Sequence, residues 1–156
     1  MAKRPKYKHR NFESRTDQGK FTKVCDDMMQ SSAWASLSLR QRGLYLELKS
    51  KYTQKVSGGQ IISDNADDIS MPKSEAQKLY SELRTFRKDM DALIDRGFLR
   101  MVHCGFNTRT VNIYGFSDRW KDYGTQSFNI PRNEMRPAAS SKKNHPNYSY
   151  SLTCMP

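Results

Sequence analysis

The chain has 156 residues and a mass of 18.1 kDa, which is room for one domain with tails and excludes a second large core. Its 27 Lys+Arg against 16 Asp+Glu give a formal charge of +11 and a pI near 9.7, so a polyanion is the first partner to consider. Hydrophobic residues are 36% and aromatics 11%, too many for a wholly disordered chain, while the charged N-terminus and the lack of any run of roughly 18 apolar residues argue for a cytoplasmic protein with no membrane partner.

In chain order, the first element is a basic arm, residues 1–20. Up to Lys23 it carries eight basic residues (Lys3, Arg4, Lys6, Lys8, Arg10, Arg15, Lys20, Lys23) against Glu13 and Asp17. It has too little apolar surface to fold alone, and its expected role is to touch phosphates. The folded domain is expected over 21–130, and a flexible basic tail over 131–156, where Pro137, Ser140-Ser141, Lys142-Lys143 and Pro146 fall.

Within the domain, Ser31-Ser32-Ala33-Trp34 suggests a short turn whose indole covers one end of the core. Ser38 with Gln41 three positions on is a capping box, and Leu44, Tyr45, Leu48 and Tyr52 follow at helical spacing, which predicts a helix from about Leu39 to Tyr52. Residues 53–68 contain Gly58-Gly59 and one apolar pair, Ile61-Ile62, and read as a loop with one short strand at most. Asp68-Ile69-Ser70-Met71 is a candidate edge strand closed by Pro72, a residue suited to a helix start. A short helix to about Tyr80 follows, interrupted by Ser81-Glu82-Leu83. From Arg84 the periodicity restarts: Phe86, Met90, Leu93 and Ile94 form one stripe, and Gly97 supplies a left-handed stop. Two helices across a turn of three or four residues is a helix-turn-helix spacing. The β-prone segments 98–104 and 109–114 then predict a hairpin around Gly105-Phe106-Asn107-Thr108. The aromatic-rich stretch after it is expected to cap the domain by packing Trp120 and Tyr123 on its outside.

The run from Arg84 to Leu99, RTFRKDMDALIDRGFL, resembles the recognition helix and following "LIxxGFL" segment of many bacterial winged-helix proteins. Ser31-Ser32-Ala33-Trp34-Ala35-Ser36-Leu37-Ser38 with Gly43-Leu44-Tyr45 is similar to the first-helix pattern of winged-helix proteins from phages, plasmids and integrative elements, of the replication-initiator and replisome-organiser type. The resemblance covers about Phe21 to Trp120. It implies a mainly α fold with a small β-wing (α+β), a single winged helix-turn-helix domain where larger initiators carry two, and a role in replication initiation or transcriptional regulation.

With the apolar stripe inward, Arg84, Lys88, Asp91 and Asp95 face outward, with Thr85 and Arg87 at the edges. The basic residues occupy the N-terminal end, which a recognition helix places in the major groove, where Arg and Lys donate to guanine and Thr meets a thymine methyl. A solvated face with pairs such as Arg87 to Asp91 is the plainer alternative. Lys73 and Lys78 on the preceding helix, and Asn107, Thr108 and Arg109 on the wing, are candidate backbone contacts, and Arg4 or Arg10 the minor-groove reader if the arm enters a groove. Phe106 at the hairpin tip is expected to fold back on the core. Exposed, it would suit a minor-groove wedge or a partner surface.

Enzyme chemistry finds little support. There is no phosphate-binding glycine loop with its lysine and hydroxyl. His9, His103 and His145 are isolated, Tyr148 and Tyr150 lie in the tail, and Cys25, Cys104 and Cys154 have neither zinc nor disulfide-framework spacing. Asp64, Asp67 and Asp68 lack the ligand pattern of a calcium loop. The expectation is therefore a non-enzymatic, cofactor-free, nucleoid-associated DNA-binding protein of a mobile element, with double-stranded DNA as partner and a homodimer or other replication proteins as further ones. An RNA- or ribosome-associated basic protein and a winged-helix protein-interaction module are the alternatives.

Overall fold

A computed structural model describes residues 22–106 and 108–137. They form a mixed α/β structure of five helices and two small antiparallel sheets. The order is α1 (Asp26–Gln30), α2 (Ser32–Ala35), α3 (Leu39–Ser50), β1 (Gln54–Ser57), β2 (Gln60–Asp64), β3 (Ile69–Ser70), α4 (Lys73–Leu79), α5 (Leu83–Asp95), β4 (Leu99–His103) and β5 (Ile113–Phe116). Two 3-10 turns, Arg119–Asp122 and Arg132–Glu134, follow.

The capping box at α3 forms in full, with the Ser38 hydroxyl accepting from the Gln41 N–H and the Gln41 side chain accepting from the Ser38 N–H at 2.9 Å. This helix turns Leu44, Tyr45 and Leu48 into the core and packs on α5. The segment Ser31–Trp34, expected as a turn, enters the four-residue helix α2, with the Ser31 hydroxyl as its cap and Trp34 buried.

Helix α5 buries Phe86, Met90, Leu93 and Ile94. Gly97, at φ 77°, ends it: the Gly97 N–H reaches the Ile94 carbonyl at 2.8 Å and the Phe98 N–H reaches the Leu93 carbonyl at 3.0 Å. That pair of hydrogen bonds is the glycine-terminated helix stop, and an added Cβ at Gly97 would lie 2.7 Å from the backbone of Arg119 and Trp120. Phe98, delivered by this stop, is the centre of the core. Trp34 and Tyr45 meet its ring edge-on, with centroids 5.8 and 5.4 Å away, and Trp120 stacks on it at 6.1 Å, nearly parallel. Burial of each such side chain contributes about 1.5–3 kcal/mol, with aromatic pairing adding roughly 1 kcal/mol.

Strands β4 and β5 pair antiparallel from Leu99↔Phe116 to His103↔Ile113, and β3 adds to the free side of β5, giving the order β3-β5-β4. The predicted edge strand is thus at an edge. Residues 53–68, read as a loop, instead hold a second sheet, the β1–β2 hairpin, which turns through Gly58-Gly59. All of β2 is solvent-exposed, so no buried face marks it in the sequence.

The chain stays on the domain beyond the aromatic stretch. Arg119 pairs with Glu134, and Arg136 pairs with Asp91 of α5 at 2.8 Å. Residues 131–137 thereby run as a strap from the second 3-10 turn, which packs on β4, to α5. No helix among the described residues is long and apolar enough to cross a membrane.

Candidate nucleic-acid interface

The turn between α4 and α5 is Tyr80-Ser81-Glu82, three residues, and α5 begins at Leu83, one residue earlier than its periodicity suggests. Seating the apolar stripe of α5 against α3 leaves Arg84, Arg87 and Lys88 exposed, with Thr85 half-buried beside them. None of the three cations forms an ion pair with another described residue. They stand in the first half of the helix, where the aligned peptide dipoles also favour an anion.

The acids of α5 are handled differently from the expectation. Asp91, placed outward by the helical wheel with Arg87 as its alternative partner, is half-buried and paired with Arg136 from the strap. Burial pushes its carboxyl above the usual range, and Asp95 reinforces the shift against the pull of Arg136. Arg87 is therefore not occupied by the i,i+4 pair.

Asp89, adjacent to Lys88, was not singled out by the sequence, and it is the one buried charged residue among those described, 1% exposed. Arg40 binds it through two nitrogens, at 2.5 and 3.2 Å, Tyr80 donates its hydroxyl at 2.9 Å and Gln41 its amide at 3.2 Å. Burial raises the Asp89 carboxyl, but these hydrogen bonds outweigh burial and hold it below the ordinary carboxylate range. The same contacts raise Arg40, and burial followed by the Asp89 bond raises the Tyr80 hydroxyl. One carboxylate thus ties the start of α3, the α4–α5 turn and α5 together. A signal existed: Asp89 lies three residues after Phe86 and four before Leu93, on the margin of the apolar stripe.

Lys73 and Lys78 are exposed on α4, and neither forms an ion pair with a described residue, whereas Glu75 between them is taken up by Lys51. Thr108 and Arg109 are exposed in the β4–β5 connection, Arg109 with a left-handed φ of 56°. Phe106 does not fold back on the core; it is 82% exposed, because the connection closes on itself before the ring can reach the apolar interior. Both α4 and β4 pack on α5, so the three groups of candidates sit on adjoining elements. Asn107, Arg4 and Arg10 lie outside the described residues.

Among the described residues no group of three or more His, Cys, Asp or Glu is placed to hold a metal ion. The arrangement sets exposed cations without an ion pair to a described residue on one helix, with hydroxyls and an arginine on a neighbouring hairpin. Compared with protein-family models, with curated proteins and with solved structures, the chain matches none of them.

Proposed function

We propose that this chain is a sequence-specific double-stranded DNA-binding protein built on a single winged helix-turn-helix domain. In this reading α5 is the recognition helix, the β4–β5 hairpin is the wing, and α4 lies over a flanking backbone with Lys73 and Lys78. The observation that carries it is the set of three exposed cations, Arg84, Arg87 and Lys88, none paired with a described residue, in the first half of the second helix of a pair joined by a three-residue turn. Support comes also from the treatment of the acids: Asp89 is inward and held by Arg40, and Asp91 is held by Arg136, so that Asp95 alone of the acids of α5 is left exposed and without an ion pair to a described residue. A service in replication initiation or transcriptional regulation of a mobile element rests on the resemblance of the Ser31–Tyr45 and Arg84–Leu99 segments.

The test is selection of duplexes from a randomised pool by the full chain, followed by competition of the selected duplex against a structured RNA. Enrichment of one motif, retained against the RNA at about a thousandfold or greater preference, is the expected result. No enrichment, or equal competition by RNA, overturns it. Mapping the motif onto an origin or a promoter of the element that encodes the chain then assigns the role.

A further inference from the structure

We infer that Phe106 is an apolar wedge that enters the minor groove and opens a base step, so that the protein bends the duplex it binds. This rests on the duplex-DNA reading above and goes beyond it, since grip and sequence choice by α5 need no bend.

Three features of the β4–β5 connection point to it. The first is exposure: Phe106 is 82% exposed, next to the buried Cys104 and Gly105, and Val102 and Val111 on the same hairpin are exposed at 44% and 43%. The second is that the ring stands on a fixed base. The Gly105 N–H donates to Asn112 Oδ1 at 2.9 Å, Asn112 donates to the Tyr114 hydroxyl at 3.1 Å, and the Thr110 N–H returns to the Gly105 carbonyl at 3.1 Å. The Thr108 and Thr110 hydroxyls, 2.6 Å apart, meet the His103 imidazole beneath them. A Cβ at Gly105 would collide with the Thr110 carbonyl, so the glycine is what lets the two sides of the connection close. These bonds close the base of the connection at Gly105, one residue before the ring, and so lower the ordering cost of presenting it to a partner.

The third feature is charge. Arg109 is exposed, has no ion pair with a described residue, and is held in a left-handed conformation unusual for a side chain of its kind. From Arg96 to Ser117 the sequence contains no Asp or Glu at all. Asp67 pairs with Arg100 and Asp68 stands near His103 and Thr110 at the foot of the hairpin, but the tip itself, with an apolar ring and an arginine three residues apart and no acid of its own, matches a groove whose walls are sugars and whose rims are phosphates. A protein surface would accept the ring, but it gives no account of an acid-free span that also holds an unpaired arginine.

The experiment uses the full chain and a duplex of about 20 base pairs carrying the motif from the randomised-pool selection, labelled with a donor and an acceptor at its ends, which at about 3.4 Å per base pair lie within energy-transfer range. Wild-type protein should shorten the end-to-end distance by an amount equal to a bend of some tens of degrees. Phe106→Ala should abolish the shortening while weakening binding by no more than about tenfold, and Phe106→Leu, which keeps an apolar wedge, should retain most of the bend. The thermal midpoints of both variants should equal that of the wild type, since the ring touches no core. A bend unchanged in Phe106→Ala overturns the proposal. So does loss of self-association by Phe106→Ala with the bend intact, which assigns the ring to an interface between copies. If the wild type binds the duplex without bending it, the wedge falls and the DNA reading stands; if it selects no duplex, both fall.

Discussion

If α5 enters a groove as proposed, Arg84 and Lys88 are the residues at which direct base reading is tested, because they are exposed, one helical turn apart on α5 and without an ion pair to a described residue. Replacing either with Ala should cost about 1–3 kcal/mol of specific binding and relax preference at one or two positions, measured by titration against the selected duplex and single-position variants of it. Equal weakening on every sequence would make the residue a phosphate contact instead, and no change in either variant would remove α5 from the interface. Asp89 carries a prediction of another kind. Its carboxyl is held below its unfolded value, so ionised Asp89 stabilises the fold above about pH 4, and that contribution is lost as the pH falls through the lowered folded value. The wild type should therefore lose stability in acid from this site, and Asp89→Asn, less stable at neutral pH, should show a flatter dependence below about pH 4 in denaturant titrations. Asp89 also shows why the residue scale was only half legible. A helical wheel ranks positions by apolarity, so a carboxylate at the margin of the stripe reads as solvent-facing until an arginine from another helix is known to meet it.

At the scale of elements, α3 and α5 were legible because each carries its own punctuation, Ser38 with Gln41 in one and the stripe with Gly97 in the other. Leu93 lies fully buried on that stripe. Leu93→Ala should destabilise by about 2–5 kcal/mol, a fall of roughly ten degrees or more in the thermal midpoint, large against the whole stability of a domain of this size. An unchanged midpoint would mean that the inward face of α5, and with it the outward one, is wrongly assigned. The β1–β2 hairpin was not legible for a physical reason: period-two alternation marks a strand only where one face is buried, and Ile61 and Ile62 are both exposed. Helices α1 and α2, five and four residues long, are too short for any periodicity to show; α1 is anchored by Met28 in the core, and α2 by its Ser31 cap and Trp34.

For the molecule as a whole, the charge is segregated: most of the excess lies before Val24 and after Ile130, with little between them. Deleting Met1 to Arg10 removes Lys3, Arg4, Lys6, Lys8 and Arg10. Binding by the shortened chain should show a dependence of log affinity on log salt flatter by up to about 0.9 for each phosphate that the arm no longer neutralises, with the preferred motif unchanged. Loss of an A·T preference beside the motif would show that the arm enters a groove, and an unchanged slope would make it a solubilising tail. The coarse fold class, helices together with a small antiparallel sheet, was legible at this scale because its helix and strand signals come in one order, whereas the strap was not, since Pro131 to Pro137 has the composition of a tail and is held by two ion pairs that only the folded chain brings together. The Asp91–Arg136 pair and the Phe98–Trp120 stack also bear on the order of events during synthesis. Asp91 must wait for Arg136, and Phe98 for Trp120, so a ribosome that has delivered α5 and the hairpin still holds back the residues that neutralise one and cover the other. Helix α5 is thus completed by nearly the last of the described residues to emerge, and a nascent chain stalled before Arg136 presents it with Asp91 lacking that partner.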